Sequence, residues 1–187
     1  MVSAEPCLSD YRPPSNALAV HQNTALAQPS NLWADPDWQR FWLTLDRLPW
    51  KVLSLIPAGE GGPPDFTLSM AVMLSRTGMT HIGAPIQVAD GTQIPLNQLN
   101  PFLAEVRACT EGGQRVIVAL APTASNATTT SIAKASDGVV LCVLMERMLS
   151  RDAQRTLDAI GASRFLGSVM IHPSGVGSVP PPPVAPR

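Results

Sequence analysis

Two rhythms of apolar residues alternate along this chain: short unbroken runs, and longer stretches in which apolar side chains return every three or four positions. Unbroken runs suit strands buried on both faces, and the wider rhythm suits helices with one apolar side. Asp35 and Asp37 can start a helix carrying Trp38, Phe41, Trp42 and Leu45 on one face, and Pro49 ends it. Lys51 to Ile56 (KVLSLI) reads as a buried strand. Phe66 to Thr77 reads as a helix with Leu68, Ala71, Val72 and Leu74 inward and Gly78 as its C-cap. A weaker strand, Pro85 to Ala89, meets a turn at Asp90-Gly91, and Asn100 then caps a helix with Pro101 in its first turn, running to about Cys109 before Gly112-Gly113. Arg115 to Leu120 (RVIVAL) is a second buried strand, and a polar stretch from Thr123 to Thr130 leads into a helix near Ser131 to Ala135. Gly138 to Leu144 (GVVLCVL) is the most strand-like run, Ser150 caps a helix through Ile160, and Phe165 to Ile171 (FLGSVMI) closes the sheet.

Strands alternating with helices build βα units around a parallel sheet, so the expected class is α/β, a three-layer sandwich with a mostly parallel sheet. The ends break the pattern. Residues 1–35 are rich in Pro, Ser, Asn, Gln and Ala without a period, and residues 175–187 carry four consecutive prolines, Pro180 to Pro183. Both read as flexible or extended tails, the second with polyproline II character, around one domain at 36–174.

Composition narrows the function classes. With 13 basic against 14 acidic residues the net charge is −1, which leaves no excess positive field for a nucleic-acid backbone. Hydrophobic residues make up 45% and charged residues only 14%, so the core is well supplied and the surface lightly charged, as suits a protein partner. Cys7, Cys109 and Cys142 are odd in number and far apart, and read as reduced thiols of a cytoplasmic protein. No signal peptide is evident, because Glu5 and Asp10 stand where its apolar run would start. The longest apolar stretch, Val139 to Met145, falls far short of the roughly 18 residues of a membrane span.

The candidate chemistry lies between the first strand and the helix after it. A phosphate-binding loop uses glycines to turn backbone N–H groups inward, a lysine as a point charge and a Ser or Thr hydroxyl for magnesium. Here the loop runs Pro57-Ala58-Gly59-Glu60-Gly61-Gly62-Pro63-Pro64-Asp65-Phe66-Thr67. The glycines stand in place, but no lysine lies between Lys51 and Lys134, two prolines occupy donor positions, and Asp65 would repel phosphate. A plain tight β-to-α turn competes with a vestigial nucleotide loop at Gly59, Glu60, Gly61 and Gly62.

The order KVLSLIPAGEGG, a helix ending RTG, then RVIVALAP, ASDGVVLCV and FLGSVMIHPS resembles the bacterial tyrosine kinases and MinD/ParA-like P-loop ATPases of capsule and exopolysaccharide synthesis, the CpsD/CapB group, from about Trp38 to Pro173. The resemblance implies a P-loop NTPase-like fold, with Pro63 and Pro64 (or Gly62 and Pro63) at the lysine and hydroxyl positions. It puts Leu120 where a magnesium-holding aspartate belongs, and leaves Asp90 as the remnant of the other acidic motif. Asp137-Gly138 matches an Asp-Gly of the family, with Asp137 read as a turn residue. A tyrosine-rich C-terminal cluster is missing; the single tyrosine is Tyr11.

The function that follows is a catalytically degenerate regulatory or interaction subunit beside an inner-membrane polysaccharide chain-length or export protein, cytoplasmic or peripheral through that partner. No catalytic residue, cofactor, metal, nucleic acid or membrane span is expected; a homo-oligomer stays open. The competing reading is an active exopolysaccharide tyrosine kinase or MinD/ParA-like ATPase, using ATP and magnesium with a lysine borrowed from a partner chain; a cell-division regulator on the same fold is a third. No G-x-S-x-G elbow supports a serine hydrolase, and His21, His81 and His172 are scattered. Trp33, Trp38, Trp42 and Trp50 cluster before the first strand, either as a helix packed on the sheet or as a docking face, with Trp38 and Trp42 the candidate partner contacts.

Overall fold

A computed structural model describes residues 35–172. Within it, β1 (Val52–Pro57), β2 (Ile86–Gly91), β3 (Arg115–Leu120), β4 (Gly138–Leu144) and β5 (Phe165–Ile171) form one sheet in the order β2-β3-β1-β4-β5, with every pairing parallel. The apolar runs thus become strands covered on both faces. Odd and even positions divide between two cores. Leu53, Leu55, Ile117, Ala119, Val140 and Cys142 face α1 (Pro36–Asp46) and α2 (Phe66–Ile82). Ile56, Val116, Val118, Leu120, Val139 and Leu141 face α3 (Leu99–Glu111), α4 (Thr129–Ala135) and α5 (Ser150–Ile160). The molecule is an α/β three-layer sandwich, as the alternation of rhythms required.

β1 is the centre of this arrangement, paired with β3 on one side and β4 on the other. Its entry is fixed by Asp137, whose carboxylate accepts from the backbone N–H groups of Lys51 and Val52, both at 2.8 Å. The aspartate of the Asp-Gly pair is therefore a turn residue, at the end of the sheet where β1 begins. Beside it, Ser54 and Ser136 satisfy each other at 2.6 Å inside the core.

Several boundaries differ from the pattern's expectation. Gly78 does not cap α2; the helix continues to Ile82, and Gly83 takes the left-handed cap with φ 68°. Gly78 lies buried against Trp42 and Ile86, where an added Cβ would come within 2.5 Å of either side chain. It is a packing glycine, and helical spacing alone cannot distinguish that from a cap. Asp90-Gly91 ends β2 and the turn follows it: the Asp90 carboxylate accepts from the Thr92 N–H and hydroxyl. Asn100 and Ser150 sit inside the first turns of α3 and α5, with Gln98 and Leu149 in the cap positions. Asp35 caps α1 as read, accepting from the Asp37 N–H at 2.8 Å. Apart from Asp35, the two terminal tails lie outside the described residues, as do Cys7, Tyr11, His21 and Trp33.

The tryptophans show what α1 is for. Trp42 is only 1% exposed, stands edge-on to Trp50 at 6.0 Å and fills the space left by Gly78, so its role as a partner contact is corrected to that of a core residue. Its indole N–H is buried without a hydrogen-bond partner, so the ring serves by volume. Trp50 donates to the Leu45 carbonyl at 2.9 Å, and Arg115 lies over its ring while pairing with Asp46, which ties α1 to the start of β3. Trp38 is half-buried beside Phe41 and keeps some outer surface. Trp42→Ala should cost about 3–5 kcal/mol and Gly78→Ala about 1–3 kcal/mol, both measured by denaturant unfolding. A loss within experimental error for either would contradict this packing.

Candidate functional site

Open α/β sheets bind ligands beyond the carboxyl ends of their strands, where neighbouring strands send their helices to opposite faces. β1 and β3 are such neighbours. β1 runs into α2 on one face, and β3 leads to α4 on the other. A cleft of about 570 Å³ opens at that point, bounded by the loop after β1, the start of α2, the turn after β2 and the segment after β3. The glycine loop thus lines a cleft at the carboxyl end of the sheet, as its place after the first strand implied.

The chemistry lining the cleft is unusual for a phosphate site. Gly59, Glu60, Gly62, Pro63 and Pro64 form one wall; Leu120, Ala121, Pro122, Ser125 and Asn126 another; Thr92, Gln93, Ile94 and Pro95 a third. Among these residues Glu60 is the one ionisable group, and it accepts a hydrogen bond from the Ser125 hydroxyl at 2.8 Å. Leu120 ends β3 with an apolar side chain and Asp90 turns onto Thr92, so neither presents a carboxylate to the cleft.

Thr67 was not singled out by the sequence. The helix begins at Phe66, which places the Thr67 hydroxyl in its first turn, the position from which a hydroxyl could reach a metal. It is buried and donates instead to the Leu120 carbonyl at 2.8 Å, joining α2 to β3. Asp65 stands in the cap position but makes no capping bond, and its carboxylate accepts instead from the Ser69 hydroxyl at 3.5 Å.

The loop is also held from behind. A Cβ on Gly61 would fall 2.0 Å from the Arg147 carbonyl oxygen, and one on Gly59 would fall 3.1 Å from the Asp152 Cβ. The glycines therefore admit the turn between β4 and α5. That turn bends through Glu146 at φ 65°, a conformation uncommon for a side chain of that size. On this side a smaller pocket of about 180 Å³ joins Gly59 and Glu60 to Asp152, Arg155 and Thr156 of α5. Thr156 donates to the Ala58 carbonyl at 3.3 Å, and Arg155 lies 3.6 Å from the Asp152 carboxylate. Arg155 is the cation that lines this pocket, and because α5 follows the loop by three further strands and three helices, no local motif reveals it.

Cys142 ends up under the loop, paired in register with Pro57, while its carbonyl accepts from the Ala58 N–H at 2.9 Å. Burial pushes its thiol up to about 12, against a smaller lowering by the Ile56 backbone. Cys109 is buried on the other face of the sheet, and neither thiol forms a disulfide. His81 lies near the end of α2 and His172 after β5, apart from the cleft. No helix among the described residues is long and apolar enough to cross a membrane. Comparison with family models, with curated proteins and with solved structures yields no match.

The buried thiol gives a defined alkaline response. Below pH 9.0 both native and unfolded chains keep the Cys142 proton; above it the unfolded chain releases it while the native chain holds it to about 12. Stability should therefore fall as pH rises through that window, by up to about 1.4 kcal/mol per pH unit, and Cys142→Ala should flatten the fall. In a Cys7→Ser background the native protein should resist thiol reagents until it unfolds; rapid native labelling would contradict the burial.

Proposed function

We propose that this chain is a catalytically silent relative of the kinase-like P-loop ATPases of capsule and exopolysaccharide synthesis, acting as a regulatory or interaction subunit beside an inner-membrane chain-length or export protein. The observation that carries the silent half is the state of the loop after β1. Phosphoryl transfer needs cations and aligned N–H donors around the phosphates and a carboxylate or hydroxyl on magnesium. The cleft offers Glu60 as its ionisable lining group, prolines at 63 and 64, and a Thr67 hydroxyl committed to Leu120. ATP and magnesium do not fit such a set: the charge is of the wrong sign and the hydroxyl is spent. The competing active enzyme needs a cation brought to the loop, and Arg155, which shares the smaller pocket with Gly59 and Glu60, is turned toward Asp152.

The partner half rests on the resemblance in strand order and on the surface of α1. With Trp42 in the core, the apolar groups that α1 leaves accessible are Trp38 and Phe41, half-buried, and Leu43, which is 44% exposed. Aromatic side chains of this kind supply much of an interface's energy when a partner buries them. Localisation at the cytoplasmic side of the inner membrane is part of the same proposal, through the partner.

Two measurements test it. Titration with a fluorescent ATP analogue and magnesium should give no saturable binding, and no phosphate release or tyrosine phosphorylation above a blank; turnover that disappears in Arg155→Ala or Gly61→Val would overturn the silent reading. Trp38→Ala should leave the circular dichroism spectrum intact and weaken recruitment to the membrane polysaccharide machinery by at least tenfold in affinity, about 1.4 kcal/mol. A folded Trp38→Ala protein recruited as well as wild type would remove α1 as the contact.

A further inference from the structure

The lining of the cleft sets the chemistry of what could fill it. Pro63, Pro64, Phe66, Leu120 and Pro122 give it apolar walls. Its hydroxyls and its asparagine are spent on the protein itself: Thr67 donates to the Leu120 carbonyl, Thr92 to Asp90, and Asn126 to the Thr92 and Ile94 carbonyls. A sugar or another polyol would find few partners there. Glu60 differs. Ser125 holds one of its carboxylate oxygens, and among the described residues no basic side chain comes within ion-pair distance of the group. An occupant that covers the apolar walls also takes water from this carboxylate, which then favours a cation beside it. The matching occupant is an apolar segment with one positive charge.

The chain beyond His172 has that composition. Residues 173–187 read PSGVGSVPPPPVAPR, with Arg187 as the one charged side chain. Residues 1–34 do not match, since they carry Glu5 and Asp10 against Arg12. A proline run is already close to the polyproline II form in which such segments dock on apolar grooves, so it gives up little conformational freedom on binding. We propose that residues 183–187 of this same chain occupy the cleft, their prolines against Pro63, Pro64 and Phe66 and the Arg187 guanidinium on the Glu60 carboxylate.

The topology makes this reach short. Every pairing in the sheet is parallel, so β5 ends on the same side of the sheet as the loop after β1, and His172 follows it there. In the order β3-β1-β4-β5, the two strands that bracket the cleft stand two and three places from β5. At about 4.8 Å per place that is roughly 10–15 Å sideways. From His172 to Pro183 there are eleven residues (183 − 172), which extended as polyproline II span about 34 Å. The chain thus crosses the β4 end with slack to spare. Tethering keeps the segment at a local concentration on the order of millimolar, so weak contacts suffice to hold it. The cleft is then closed by the chain itself, with no part played by the membrane partner.

A nitroxide label on Ala185→Cys in a Cys7→Ser background reads the docking in the full chain, because Cys109 and Cys142 are buried. Paramagnetic broadening should appear at the backbone amides of Gly62, Gln93 and Ser125 and vanish when the label is reduced. Arg187→Glu should weaken that broadening about threefold, the scale of an exposed ion pair, Glu60→Arg should do the same, and the two together should restore it. Glu60 is exposed, and circular dichroism checks the fold of its variant. If Glu60→Arg unfolds, Arg187→Glu, which lies outside the described fold, decides alone. Mixing spin-labelled protein with unlabelled, isotope-enriched protein identifies the source of the segment. No broadening in the mixture supports the proposal, and broadening there means that a second copy supplies the segment, which overturns it. Cleft amides untouched by the label overturn it too, as does broadening that Arg187→Glu leaves unchanged.

Discussion

The carboxyl end of the sheet is organised by one close approach, that of Gly61 to the carbonyl of Arg147. Only a residue without a side chain lets the turn after β4 come so near the loop after β1. That approach brings α5 over the loop, sets Thr156 on the Ala58 carbonyl and Arg155 beside Asp152, and divides the space at the strand ends into a larger cleft and a smaller pocket. A loop that wraps a phosphate must keep its N–H groups pointed at open space. Here Gly61 lies against the Arg147 backbone, and Gly59 and Gly62 against the side chains of Asp152, Met148 and Phe66, and glycine content by itself does not separate these two uses.

The architecture was legible because both faces of every central strand are buried, which forces runs such as RVIVAL and GVVLCVL that nothing but a covered strand tolerates in so short a span. Helix existence was legible for the same reason, while Gly78 and Gly83 exchanged roles because a cap and a packing glycine look alike without the tryptophan that needs the space. Trp42 was misplaced as a contact for the complementary reason: a large aromatic on an amphipathic helix reads the same whether a partner or a sheet covers it. The site was half legible. Glycines after the first strand announced where the cleft would be, but Thr67, Ser125 and Arg155 take their meaning from partners 53, 65 and 3 residues away, and only the last is local.

Asp137 shows how one motif serves two ends of a sheet. An acidic residue followed by glycine before a buried strand looks like chemistry when its place along the strand is unknown. Placed just before β4, it captures the N–H groups of Lys51 and Val52 where β1 begins and so fixes the register of the pair on which both cores rest. Its distance from the cleft, a full strand length, removes it from any reaction there.

The central position of β1 also dictates the order in which this chain can assemble. Leu53 pairs with Ile117 on one side and Gly138 on the other, so β1 is made well before either neighbour, the nearer of which lies 64 residues on (117 − 53). Loop closure over such separations is slow, and an apolar strand kept waiting is exposed to mispairing. α1 and α2, which flank β1 in sequence and cover its Leu53 and Leu55 face, can fold locally around it first. The tryptophan-rich helix ahead of β1 is thus placed to shield the nascent strand through the interval before its partners are made.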